Sequence, residues 1–187
     1  MIAFDAPAAK PSAVGLDLLV ERLKQRREGD RLLLSIPFLM VPAGQAVAVR
    51  GPSGAGKSTF LHLLAGLVLP REGRIAWGPN DLAALREEAR ARFRARHLGL
   101  VFQDPNLFEE LDAASNAALS AAFAPRADCA ALRARAKGWL DRLGLADAGH
   151  RPAASLSGGE RSRVALARAL AGGAPILLAD EPSASLD

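Results

Sequence analysis

The chain alternates between short apolar runs and stretches with helical spacing. Val14 to Leu19 and Arg31 to Ile36 are apolar runs separated by a charged stretch, Glu21 to Asp30. That layout predicts two strands joined by a polar turn. Gln45 to Val49 alternates and runs into Gly51, which predicts a buried strand ending in a glycine-rich loop. From Lys57 the period becomes helical, with Phe60, Leu61, Leu64 and Leu67 on one face, until Pro70 and Gly73 break it. Arg74 to Trp77 reads as a short strand. Leu82, Leu85, Ala89 and Phe93 recur at helical spacing, with Glu88 and Arg92 as an i,i+4 pair. Leu98 to Phe102 is a further strand, stopped by Gln103, Asp104 and Pro105. Asp128 is placed to cap a helix carrying Leu132, Trp139, Leu140 and Leu143, which ends near Gly144. Ser157 begins another helix, and the continuous run Ile176 to Ala179 predicts a strand buried on both faces.

Strands alternating with helices indicate an α/β fold with a largely parallel sheet. The stretch from about 104 to 154 is helical only and reads as an inserted lobe.

Composition narrows the class further. A length of 187 residues suits one domain, and a single cysteine, Cys129, excludes an internal disulfide. No apolar run reaches the ~18 residues of a membrane span, and there is no signal-peptide pattern. The net charge is +4 and the pI about 10.0, but arginines are interleaved with acidic residues. That pattern gives solvated faces with some affinity for anions, and no nucleic-acid partner is expected.

Three local patterns carry chemistry. Gly51-Pro52-Ser53-Gly54-Ala55-Gly56-Lys57-Ser58, followed by Thr59, has P-loop spacing and stands between a predicted strand and a predicted helix. Glycines there let backbone N–H groups turn toward phosphate oxygens, Lys57 reaches the β- and γ-phosphates, and Ser58 can ligate Mg²⁺. Asp180 and Glu181 close the run Ile176 to Ala179 at its carboxyl end, where open α/β sheets bind ligands. Asp180 is placed to hold Mg²⁺ through water, and Glu181 to orient or deprotonate an attacking water. In Leu156-Ser157-Gly158-Gly159-Glu160, Ser157 and Glu160 have capping-box spacing. Two glycines at a helix start are unfavourable unless something approaches the backbone, and a second phosphate-facing helix N-terminus explains them.

In this order the motifs resemble the ATP-binding cassette (ABC) ATPases: the P-loop, Gln103 in Val101-Phe102-Gln103, Leu156 to Glu160 running into Arg163 to Leu170, Ile176 to Pro182, and Leu186-Asp187. The resemblance spans about residues 14–187. It implies a P-loop NTPase of ABC type: a mostly parallel core sheet, N-terminal antiparallel strands and an inserted helical lobe. The implied division is 14–103 with 155–187 as catalytic core and 104–154 as lobe.

It also implies roles. Gln103 senses Mg²⁺ and the γ-phosphate. Ser157, Gly158 and Gly159 bind the γ-phosphate of ATP held by a second subunit. Asp187 lies at that dimer interface, and Asp104 to Leu111 near the docking groove of a transmembrane permease subunit. The implied function is ATP hydrolysis that drives transport by a separate membrane subunit, at the cytoplasmic face of the membrane. Val101 to Phe108 and the arginine-rich segment before it are similar to the lipoprotein-release and macrolide-export group.

Three departures stand out. Where the family stacks an aromatic on adenine, this chain has Lys24-Gln25-Arg26-Arg27-Glu28, and it has no tyrosine. Arg26 or Arg27 could lay a guanidinium on adenine, or both are solvated turn residues. Glu160 stands where glutamine is commoner. His62, His97 and His150 all precede Asp180, so none matches the family's switch histidine, and the C-terminal part that carries it is missing. Two alternatives follow: an ATP-binding module with little hydrolysis, or a chromosome- or repair-type ATPase. The second would need long coiled coils between Ser58 and Leu156, where no sustained heptads occur.

Overall fold

The computed structural model describes residues 2–5, 15–27 and 30–182. The chain forms two compact units that divide between Arg94 and Ala95.

The first unit contains β1 (Ala3–Asp5), β2 (Leu18–Arg26), β3 (Leu32–Val41), β4 (Ala48–Arg50), α1 (Lys57–Leu64), β5 (Glu72–Trp77) and β6 (Asn80–Asp81). An antiparallel sheet runs in the order β3-β2-β5-β6, and β1 pairs antiparallel with β4. The buried positions of β2 are Leu18, Val20 and Leu23, so the two-residue period slips once. The slip is a bulge: Arg22 has φ +48, and the β2–β5 register shifts between Glu21 and Lys24. Gly73 stands opposite it with φ +92, where a Cβ would run into the Arg22 carbonyl.

The polar turn predicted over Glu21 to Asp30 is shorter than expected. The strand continues to Arg26 because its charged side chains pair across the sheet, Lys24 with Glu72 at 2.9 Å and Arg74 with Glu21 at 3.6 Å. The turn itself closes with the Arg27 N–H on the Arg31 carbonyl, 2.9 Å. Two contacts fix α1 in this unit. The Trp77 indole donates to the Leu64 carbonyl at 2.9 Å, and Phe4 meets Phe60 edge-on at 5.7 Å.

The helix predicted from Leu82 starts later, as α2 (Glu87–His97), which spans the division. Leu82 instead donates its N–H to Ile75 at 3.0 Å beside β5. Glu87, rather than Glu88, carries the helix ion pairs, with Arg90 at 2.6 Å and Arg94 at 2.7 Å.

The second unit contains β7 (Leu98–Val101), α3 (Ala113–Ala117), α4 (Cys129–Arg142), α5 (Gly158–Ala171) and β8 (Ile176–Ala179), with 3₁₀ turns at Leu119–Ala122, Ala146–Ala148 and Ala153–Ser155. β7 and β8 pair in parallel, Val101 opposite Ala179. Among the described residues parallel pairing is confined to these two strands, and β4 pairs with β1. The expectation that Ile176 to Ala179 is covered on both faces fails, because Leu177 is 47% exposed. A continuous apolar run reports a hydrophobic strand but not which faces its neighbours cover.

The buried cluster of this unit is mostly alanine. Ala113, Ala117, Ala136, Ala153, Ala165 and Ala167 bring α3, α4 and α5 close together, with Leu140, Leu156 and Val164 filling between them. Asn116 is fully buried and ties down the segment before α3. Its amide accepts from the Phe108 N–H at 2.8 Å and donates to the Phe108, Leu111 and Asp112 carbonyls at 2.9–3.2 Å. The capping assignment moves with it. Asp128 stands before α4 in a helical backbone conformation and makes no side-chain cap, whereas Asp112 is extended and accepts from the Ser115 N–H at 2.7 Å.

α5 lies directly on β7 because residue 99 is glycine. A Cβ there would come within 2.7 Å of the Ala169 carbonyl and 3.3 Å of Leu177. Gly99→Ala is therefore expected to push α5 off the strand and destabilise the protein by about 1–3 kcal/mol, read as a lower denaturant midpoint with an unchanged m-value.

Candidate functional site

The glycine-rich loop follows β4 and enters α1. Gly54 and Gly56 have φ +74 and +94, a region that disfavours side chains. Gly56 is also hemmed in, since a Cβ would sit 3.1 Å from Leu33 and Leu34. It is the N-cap of α1, and being glycine it makes no side-chain cap of its own. The loop closes on itself through the Ala55 N–H on the Pro52 carbonyl, 3.2 Å. Lys57 reaches back over it, its ammonium donating to the carbonyls of Gly51 at 3.0 Å and Pro52 at 3.2 Å. Ser58 and Thr59 are half-buried in the first turn of α1, and Ser53 is exposed. Together these residues form a backbone cradle with a helix N-terminus at its end and one cation above it, which is chemistry for polyphosphate.

Arg26 and Arg27 separate. The Arg26 guanidinium closes the hairpin turn on the Asp30 carbonyl and carboxylate at 2.9 and 3.2 Å. Arg27 donates to the Gly54 carbonyl at 3.1 Å. That contact joins the hairpin turn to the loop across 27 residues, and no local spacing announces it.

In the second unit the parallel register brings Gln103, Asp180 and Glu181 to the same carboxyl end of β7 and β8. The Asp180 N–H continues the pairing, donating to the Val101 carbonyl at 2.9 Å. Asp180 is buried at 8% exposure, and no side chain among the described residues forms an ion pair with it. Glu181 is exposed and has φ +47. Gln103 is exposed. Among the described residues no cluster of three His, Cys, Asp or Glu side chains forms a metal cage. One buried carboxylate without a cation suits an ion that takes its other ligands from hydroxyl, water and phosphate oxygens, as Mg²⁺ does.

The predicted capping box is present at the start of α5. Ser157 accepts the Glu160 N–H at 3.3 Å, and Glu160 accepts the Ser157 N–H at 2.7 Å. Gly158 opens the helix with nothing among the described residues within 4 Å of where a Cβ would stand. Arg151 was not legible in the sequence. Its guanidinium donates to the Glu160 carboxylate at 2.7 Å and the Ser155 carbonyl at 2.8 Å. The sequence positions Leu186 and Asp187 lie outside the described residues.

The Ser157 N–H, and after it the Arg151 guanidinium, hold the Glu160 carboxyl below its ordinary value of 4.5. Its contribution to stability is therefore complete above the unfolded pKa and is lost as pH falls through the lower folded value. The melting-temperature advantage of the wild type over Glu160→Gln is expected to hold at neutral pH and to shrink below about pH 4.

The family model for ABC transporters matches residues 37–184. The chain is 43% identical to the lipoprotein-releasing system ATP-binding protein LolD of Cereibacter sphaeroides, covering 92% of this chain and 76% of LolD. It is 40% identical to the macrolide export ATP-binding/permease protein MacB 2 of Aeromonas hydrophila, over 90% of this chain, and spans only 26% of that relative's length. The dimeric structure of the bacterial ABC transporter cassette MJ0796 superposes with a TM-score of 0.78 at 30% identity, covering 91% of this chain and 76% of that one. The same cassette in a post-hydrolysis state, bound to ADP and Pi, gives 0.72 at 28% identity. With its P-loop, its Gly158–Gly159 helix start and an α/β cassette fold matched over nine-tenths of its length, this chain belongs to the ABC transporter family.

Proposed function

We propose that this chain is the ATP-binding and ATP-hydrolysing subunit of a transporter, coupling ATP-driven pairing of two cassettes to transport by a separate membrane permease. Its place is the cytoplasmic face of the membrane, held there by the permease. No helix among the described residues is long and apolar enough to cross a membrane. The proposed domain layout is a catalytic core of 14–103 with 155–187 and a helical lobe of 104–154.

The observation that carries this reading is Gly158. Among the described residues nothing lies within 4 Å of where its Cβ would stand, so none of them requires it to be glycine. A glycine at a helix position costs about 1 kcal/mol against alanine. Close approach of a ligand from outside accounts for it. The terminal phosphate of an ATP held by a second copy is such a ligand, and the dimeric form of the related cassette supports it.

The roles follow the chemistry of each residue. The N–H groups of 51–59 cradle the phosphates, and Lys57 swings from its loop carbonyls to the β- and γ-phosphates. Ser58, Gln103 and Asp180 are the residues that would hold Mg²⁺, and the ion would neutralise phosphate charge. Glu181 orients the attacking water and accepts its proton, and Gln103 reports the state of the γ-phosphate to the lobe. Ser157, Gly158 and Gly159 complete the site of the second copy. Positioning and electrostatics do most of the work, because phosphoryl transfer asks little covalent chemistry of the protein.

Gly158→Ala is expected to raise the melting temperature slightly and to lower ATP turnover by about tenfold or more. Unchanged turnover would remove the support for a second copy's phosphate at this turn. Lys57→Ala should abolish phosphate release, and Glu181→Gln should slow it by about a hundredfold while ATP binding, measured by titration, stays intact. Equal loss of binding in Glu181→Gln would argue against its role as base.

A further inference from the structure

The start of α5 contains an electrostatic conflict. A helix N-terminus attracts anions through its unpaired N–H groups and its dipole. Glu160, in the first turn of this helix, places a full negative charge at the same end. An incoming phosphate would meet that charge unless something cancels it.

We propose that Arg151 is a positioning residue for this turn, masking the Glu160 carboxylate so that the N-terminus of α5 keeps its attraction for the terminal phosphate of a nucleotide. The inference rests on the reading of Gly158 and its neighbours as a phosphate site.

Arg151 is built for the task at both ends. Its backbone is fixed: its N–H donates to the Ala148 carbonyl at 3.0 Å, and its carbonyl accepts the Ala113 N–H at the start of α3, also 3.0 Å. Its side chain forks. One guanidinium nitrogen meets the Glu160 carboxylate at 2.7 Å; the other donates to the Ser155 carbonyl at 2.8 Å and stands 3.5 Å from the second carboxylate oxygen. The carboxylate is left with one oxygen on the Ser157 N–H, which the capping box requires. The neighbouring cation, Arg161, is engaged elsewhere, with the Ala153 carbonyl at 3.2 Å and Glu109 at 3.5 Å. Cancellation of the Glu160 charge therefore falls to Arg151. Because Arg151 is anchored to the start of α3, the helical lobe and the phosphate-facing turn share this residue.

The test compares KM and kcat for ATP, by phosphate release, in the wild-type chain, Arg151→Ala, Glu160→Gln and the double variant. Arg151→Ala is expected to raise KM about tenfold with a smaller change in kcat. Adding Glu160→Gln, which leaves no charge to mask, should bring KM back to within about twofold of Glu160→Gln alone. The double variant still lacks the bond to the Ser155 carbonyl, so a purely structural role for Arg151 would not be rescued. Arg151→Lys, which keeps the charge and loses the fork, should hold KM within about threefold of wild type. A double variant as impaired as Arg151→Ala, or an Arg151→Ala protein with wild-type KM, overturns the inference and leaves the ATPase reading standing. A wild-type chain without ATP turnover overturns both.

Discussion

Every helix begins with N–H groups that its own turns cannot reach, and this chain meets that constraint in two opposite ways. At α1 the cap is Gly56, which supplies a left-handed turn and no acceptor side chain. At α5 the cap is complete, with Ser157 and Glu160 each taking a backbone N–H of the other. The first solution leaves the helix start open to an external acceptor. The second fixes the helix start by its own capping box, and among the described residues nothing crowds Gly158. The elements around each start serve it: β4 delivers the loop to α1, and β7, through Gly99, lets α5 lie close to the strand that carries Gln103.

The parts of the site that could be read from the sequence are contiguous. The P-loop needs eight neighbouring residues and the α5 start needs five, so spacing alone identifies them. Asp180 and Glu181 were legible because a strand end fixes where its last side chains stand. The contacts that escaped are those between residues far apart in sequence. Arg27 reaches Gly54, Arg151 reaches Glu160, and Asn116 holds the segment from Phe108 to Asp112. Each belongs to a residue type that is usually solvated, and only the fold brings its partner near.

The misread elements have a common cause. The charged residues of β2 suggested a turn because local polarity was read without its cross-strand partners. Asp128 suggested a cap because its type was read without its backbone conformation, which is helical where a cap is extended. The apolar run of β8 was read as doubly covered, although a sequence of four apolar residues does not say what lies on either side. Periodicity locates elements well; neighbours decide boundaries and burial.

The alanine-rich cluster beneath α3, α4 and α5 has a mechanical consequence. Alanine has no rotamers to exchange, so a core built largely from it has few alternative packings. A displacement imposed at one end of α5 meets few side chains that can absorb it by changing conformation. It passes into movement of whole helices, as in a lever whose stiffness comes from the smallness of its parts.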